Sequence, residues 1–198
     1  STVAGAYSKT NELTFPGQLE TALRKTLRVP VDVVNAGVEG YTIADIERLI
    51  DRALIKQAPS MMLVYSGYND LSAICGATRP RKTNQWDVPQ PALPDWVLSR
   101  QLISKNTLAL REPPIRPGIV DPARYFPASY GATLDRIVIK LKAANIVPVL
   151  LTNARSYRGV AHKEAAKLAE SSLFFHSCMN LDGLHKASEM FNQTIADV

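Results

Sequence analysis

The chain of 198 residues is 46% apolar and 21% charged, the balance of one globular domain of ordinary size with a full core. That balance excludes disorder, collagen and coiled coil, and the best apolar run, Met61 to Tyr65, is far short of a membrane span, which takes roughly 18 to 20 residues. The net charge is +5, and eight basic against four acidic residues between Gly76 and Tyr130 carry +4 of it; with no zinc-finger spacing, RNA-binding signature or basic helix beside it, the excess reads as a solvated surface and not as a nucleic-acid site.

Ser1 to Thr10 is polar and contains glycine, without the basic start and apolar middle of a signal peptide, so an export signal would stand upstream of it. Phe15, Leu19, Leu23 and Leu27 recur at spacings of four, the stripe of an amphipathic helix packed on a core, and Pro30 closes it. Val31 to Asn35 is a β-branched run that predicts a strand. Thr42 then caps a helix with Ile43, Ile46, Leu49, Ile50 and Leu54 on one face and Asp45 at its positive end. Met61 to Ser66 is apolar nearly throughout, as a strand covered on both faces is. Leu134, Ile137, Val138, Leu141 and Ala144 make another helical stripe before the strand-like run Val147 to Thr152. A helix from Ala161 to about Ser171, a strand-like run Leu173 to Cys178 and a last helix after His185 finish the chain. Strands alternating with helices in this way mean βαβ units and a parallel sheet.

The segment from about 76 to 130 breaks this rhythm, holding nine of the thirteen prolines and both tryptophans, Trp86 and Trp96. It reads as an insertion on the core, with one helix from roughly Trp96 to Leu110 inside ordered loop. Without internal repeats or low-complexity tracts, residues 1–198 form a single domain.

In open parallel sheets ligands bind beyond the carboxyl ends of the strands, so chemically useful residues should follow strands. Asp182 and His185 are three apart, a spacing at which a tight turn brings the carboxylate onto the ring's Nδ1–H and leaves Nε2 free as a base. Such a pair arises by chance in roughly one chain in five of this length. Asn69, in GYND at the end of the apolar run, offers a side-chain amide to a developing oxyanion. Gly37 and Gly40 lie between a strand and a helix, but Asn35 stands where a dinucleotide fingerprint needs its first glycine, so what remains is a backbone N–H at a helix head, suited to anionic oxygen. Cys75 and Cys178 are too few for a disulfide scaffold and lack C-x-x-C spacing. His162 and His176 have no metal-ligand spacing and read as surface or core residues.

Together these residues resemble the four short blocks of the SGNH, or GDSL-type, serine hydrolases. STVAG at the start is similar to the first block from its nucleophilic serine onward, TFPGQL to what often follows it, NAGVEGYT to the second with Gly40, GYND to the third with Asn69, and LDGLH to the last with Asp182 and His185. The blocks stand in the right order and span the chain. Members of that family have a strand and a Gly-Gly or Gly-Asp before the serine, so the resemblance implies that a central first strand belongs upstream of Ser1.

The resemblance implies a three-layer α/β/α hydrolase with a flavodoxin-like parallel sheet and no metal or organic cofactor. Ser1 would be the nucleophile, His185 the base, Asp182 its orienting acid, and Ser1 N–H, Gly40 N–H and the Asn69 amide the oxyanion hole. The substrate would be a small-molecule, glycan or lipid ester; the same residues also serve an acyltransferase, and a noncatalytic carbohydrate- or lipid-binding relative would keep only the pocket. An N-terminal nucleophile hydrolase would use the Ser1 α-amine as base, but its antiparallel sheets do not match a βαβ pattern. Ser8, Ser66 and Cys75 are further nucleophile candidates without a matching block. In this fold Cys75 and Cys178 would both stand at the site rim, either bridged or as two reduced thiols. Trp86, Trp96 and Phe126 would line the acyl or leaving-group pocket, with anchoring of the loop to the core as the alternative for each.

Overall fold

A computed structural model describes residues 10–77, 96, 97, 100, 103, 104 and 121–198. Helix α1 spans Phe15–Leu27. Thr14 starts it, its hydroxyl accepting the Gly17 N–H at 3.2 Å, and Arg28 ends it in a left-handed conformation at φ 56°, two residues before Pro30. The expected apolar stripe is present but lacks its core: Phe15 and Leu27 are exposed, and Leu19 and Leu23 only half-buried.

Val31 to Asn35 forms no helix and joins no ladder among the described residues, which corrects the expected strand. β-branched side chains favour extended backbone, but a strand exists only with a hydrogen-bonding neighbour. Here side chains of α1 take that place. Glu20 accepts the Val33 N–H at 2.7 Å, and Arg24 donates to the Val31 carbonyl at 2.6 Å and to Asp32 at 2.8 Å.

Helix α2 (Ile43–Leu49) begins as predicted, the Asp45 carboxylate reaching back to the Thr42 N–H at 2.9 Å and hydroxyl at 2.6 Å. It widens into a π-helical turn over Ile50–Leu54 and tightens into a 3-10 turn over Ile55–Gln57. Strand β1 is Met61–Tyr65, followed by helix α3, Leu71–Ala77. Residues 96, 97, 100, 103 and 104 are helical, in keeping with the helix expected there, while Trp86 lies outside the described residues. After α4 (Pro122–Tyr125) and α5 (Ser129–Ala143), strand β2 (Val147–Leu151) pairs with β1 in parallel, from Met61 opposite Val147 to Tyr65 opposite Leu151.

The described residues thus form a mixed helix–strand domain around a small two-stranded parallel sheet. Val64 on β1, Ile43 and Ile50, and Leu134, Ile137 and Leu141 of α5 make one core, so the stripe read on α5 faces inward as its spacing requires. The expectation that β1 is covered on both faces fails, because Met61 and Leu63 on the opposite face remain exposed. The C-terminal part also differs. Helix α6 (His162–Leu168) stops at Ala169, and Leu173 to Phe175 belong to a further short helix, α7 (Glu170–Phe175), because the Leu173 and His176 N–H groups bond back to Ala169 and Ser172. Helix α8 runs Leu181–Ala196 and starts before Asp182, not after His185, because the Asn180 carboxamide accepts the Gly183 N–H at 2.8 Å and caps it.

Cys75 of α3 and Cys178, just before α8, form a disulfide across 103 residues with a Cα–Cα distance of 5.4 Å. A loop of that length predicts a loss of about 2–5 kcal/mol when the pair is replaced by serine. Urea unfolding of the double variant measures it; a midpoint equal to the parent's would mean the bridge does not constrain the chain. On the outer face of the α2–α5 contact, Glu47 meets Arg136 at 2.8 Å and Lys140 at 2.9 Å, and Lys140 also meets Asp51 at 2.8 Å. These cations, the Arg136 hydrogen bond first, hold the Glu47 carboxyl down at about 2 instead of 4.5. A lowered value stabilises the fold above the ordinary carboxylate range, and that gain is lost as pH falls from 4.5 toward 2. Glu47→Gln should therefore cost about 1 kcal/mol at pH 7, with the gap to the parent closing at pH 3.

Candidate active site

The carboxyl end of β1 leads into Ser66, Gly67 and the loop that carries Asn69, and there two of the predicted blocks meet. The Asn69 side-chain amide donates to the Tyr41 carbonyl at 2.8 Å, beside Gly40. Asp70, next in the chain and buried, accepts the Ile43 N–H at 3.0 Å with one carboxylate oxygen and the Gly67 N–H at 3.2 Å with the other. Ile43 opens α2, so its N–H is one of the donors a helix leaves unpaired, and the Asp70 carboxylate sits at that helix's positive end. Burial pushes the Asp70 carboxyl above its ordinary value, opposed by these N–H groups.

Two glycines make the approach feasible. Gly40 turns at φ 76° before α2. Gly67 adopts φ 108°, and a Cβ there would fall 2.8 Å from the Asn153 amide nitrogen, so the turn after β1 admits no side chain.

Asn153, just beyond β2, joins both strand ends to α8. Its buried side chain donates to the Ser66 carbonyl, its N–H donates to the Asn192 carboxamide at 2.7 Å, and Asn192 donates back to the Asn153 carbonyl at 3.1 Å. Ser66 itself is buried with its hydroxyl 2.8 Å from that of Tyr130, engaged in the core and not presented as a nucleophile. The disulfide likewise takes Cys75 out of consideration.

Asp182 and His185 lie in the first two turns of α8 instead of in a tight turn. Asp182 is exposed, His185 is half-buried with its ring edge-on to Tyr157 at 5.1 Å between centroids, and no hydrogen bond joins the pair. Tyr157 fixes its own ring through Ser188, oxygen to oxygen 3.3 Å. His176, near the site but not part of the predicted set, is buried, its Nδ1–H donating to the Ser172 carbonyl at 2.8 Å and its ring edge-on to Tyr68 at 5.4 Å. Burial pushes its imidazole below the ordinary value, so it stays neutral near pH 7.

Ser1, Ser8 and Trp86 lie outside the described residues. Trp96 is exposed, with the Arg100 guanidinium 5.8 Å from its ring centre. Phe126 packs on the core, tilted against Phe191 at 4.7 Å and edge-on to Tyr130 at 6.4 Å. Among the described residues no three His, Cys, Asp or Glu side chains are placed to hold a metal ion, and no helix is long and apolar enough to cross a membrane.

Asp70 has no role in the blocks read from the sequence; its position inside GYND, between an apolar strand and a helix start, is the signal that could have found it. Arg155 and Tyr157 carried no signal, since their neighbours Tyr68 and His185 are distant in the chain. Compared with protein-family models, curated proteins and solved structures, the chain matches none.

Asp70→Ala leaves the Ile43 and Gly67 N–H groups buried and unpaired, which should lower stability by about 2–4 kcal/mol. Because its carboxyl is raised above the unfolded value, the parent gains stability relative to Asp70→Asn as pH falls toward the ordinary aspartate range. Urea unfolding at pH 7 and pH 4 measures both; a difference below about 0.5 kcal/mol in Asp70→Ala would remove Asp70 as the tie.

Proposed function

We propose that the chain is a serine esterase of the SGNH type, with the three-layer, flavodoxin-like sheet of that class. The observation that carries this reading is the junction of the Gly40 and Asn69 loops at the carboxyl end of a parallel strand, sealed by the Asn69 to Tyr41 hydrogen bond and the Asp70 clamp. Among the described residues the Asn69 amide uses one N–H, on Tyr41, and the second is the one proposed to meet an oxyanion beside the Gly40 N–H.

In the first half-reaction Ser1 Oγ attacks the acyl carbon while His185 takes its proton. The oxyanion is held by the Ser1 and Gly40 N–H groups and the Asn69 amide, and collapse expels the alcohol, which receives the proton from His185. Water then attacks the acyl-serine with His185 again as base, releasing the acid and restoring Ser1. Asp182, one helical turn from His185, orients the imidazole once its side chain rotates onto Nδ1. An acyltransferase would replace water by an acceptor alcohol in the second half-reaction. Trp86 and exposed Trp96 are the aromatic walls proposed for the substrate, with Phe126 anchoring the insertion to the core.

Turnover of p-nitrophenyl acetate and labelling by a fluorophosphonate test the reading. Ser1→Ala and His185→Ala should each reduce kcat by several orders of magnitude without adding when combined, and Asn69→Ala by about 100- to 1000-fold. Absence of both labelling and turnover would leave a noncatalytic binding protein, and unchanged kcat in Asn69→Ala would take that residue out of the oxyanion hole.

A further inference from the structure

Arg155 lies between β2 and α6, and its surroundings are unusual for a cation. Its guanidinium stands 5.1 Å from the ring centre of Tyr68, the residue before Asn69. Two residues on, Tyr157 meets the His185 ring at 5.1 Å. Arg155 therefore stands beside the Asn69 loop, two residues from the tyrosine that meets His185. The residue is half-buried, and its Nε is sealed from solvent with no hydrogen-bond partner among the described residues. Among the described residues no carboxylate pairs with it. Asp70 has both oxygens committed to N–H groups, and the groups that feel the Arg155 charge, Tyr130, Tyr157 and His176, are all neutral near pH 7.

An N–H sealed from water without a partner is costly, and a cation left without a counterion is one that an anion can complete. The guanidinium carbon stands over the Tyr68 ring, and among the described residues neither Nη group is hydrogen-bonded, so the Nη N–H groups are what Arg155 has to offer. A planar edge with paired N–H groups matches a carboxylate in two-pronged geometry, and one positive charge matches one negative charge.

We propose that Arg155 binds a carboxylate of the substrate, so that the ester this site takes carries an anionic group close to its scissile bond. The proposal rests on the esterase reading and names the substrate class for that same site. The parent should hydrolyse mono-p-nitrophenyl succinate with a higher kcat/KM than the neutral p-nitrophenyl pentanoate of similar length. In Arg155→Gln the anionic ester should lose about 10- to 100-fold in kcat/KM, the size of a charged hydrogen-bonded pair, while the neutral ester changes less than about 3-fold. Arg155→Lys, which keeps the charge without the fork, should fall between them.

No preference for the anionic ester in the parent, or equal losses on both esters, would overturn the assignment. A binding arm separates this from the chemistry: monomethyl succinate should bind Ser1→Ala by calorimetry and fail to bind Ser1→Ala/Arg155→Gln. Binding without turnover of any ester would remove the esterase reading and keep the anion site; turnover of the neutral ester without carboxylate binding would do the reverse. Tighter binding of methyl phosphate than of monomethyl succinate would overturn the carboxylate and assign a phosphate instead.

Discussion

The junction at the end of β1 depends on one buried charge. Asp70 has lost most of its water, and that burial raises its carboxyl above the ordinary value. Two backbone N–H groups replace the water, from Ile43 and Gly67, and the first belongs to a helix start that carries partial positive charge of its own. Because these donors come from segments far apart in the chain, satisfying one carboxylate positions two loops at once. Gly67 can supply its N–H only from a backbone conformation at φ 108°, so that glycine and the aspartate form a single requirement. With Asp70 turned inward, Asn69 is left to reach Tyr41, and the Gly40 turn is brought beside it. The polar geometry of the loops follows from a packing constraint beneath them.

Around that clamp the rest is stitched by a few long-range bonds. Asn153 and Asn192 exchange hydrogen bonds, Asn153 also ties down Ser66, and the disulfide fixes α3 to the segment before α8. These bonds tie the ends of both strands and the helix carrying His185 to one another. Other apolar side chains contrast with this. Met61, Leu63, Val34, Phe15 and Leu27 are exposed among the described residues, and Glu20 and Arg24 of α1 bond to the segment that follows it. Ion pairs and single hydrogen bonds at a surface contribute little beside apolar burial, so these contacts add much less stability than the core around Ile50, Ile137 and Leu141.

What could be read from the sequence was what local spacing determines. The stripe of Leu134, Ile137 and Leu141 and the Thr42–Asp45 cap each need only a few neighbouring residues, and both stand as read. The strand expected at Val31 to Asn35 needed a neighbour that no local pattern supplies, and none pairs with it among the described residues. The run Leu173 to Phe175 is apolar in either a strand or a helix, and the carbonyl of Ala169 decided between them. At the site, Gly40 and Asn69 were visible because each interrupts an element boundary. Asp182 and His185 were visible as a pair, but Asn180, acting as the cap, places both on α8, where no tight turn brings them together.

Charge shows the same limit from the other side. Of the net +5, the segment from 76 to 130 carries most, and counting residues made Arg155 one more cation among 23. Its distinction is its setting: an arginine in water has every N–H met by water, whereas the Arg155 guanidinium lies over the Tyr68 ring with its Nε sealed and unpaired among the described residues. For the carboxylate-bearing substrate proposed above, charge would act at two ranges. A net positive charge attracts an anion over distances of about a Debye length, near 8 Å at physiological salt. Only a short-range, partly dehydrated contact such as Arg155 offers can then select its orientation, because diffuse attraction does not distinguish one end of an ester from the other.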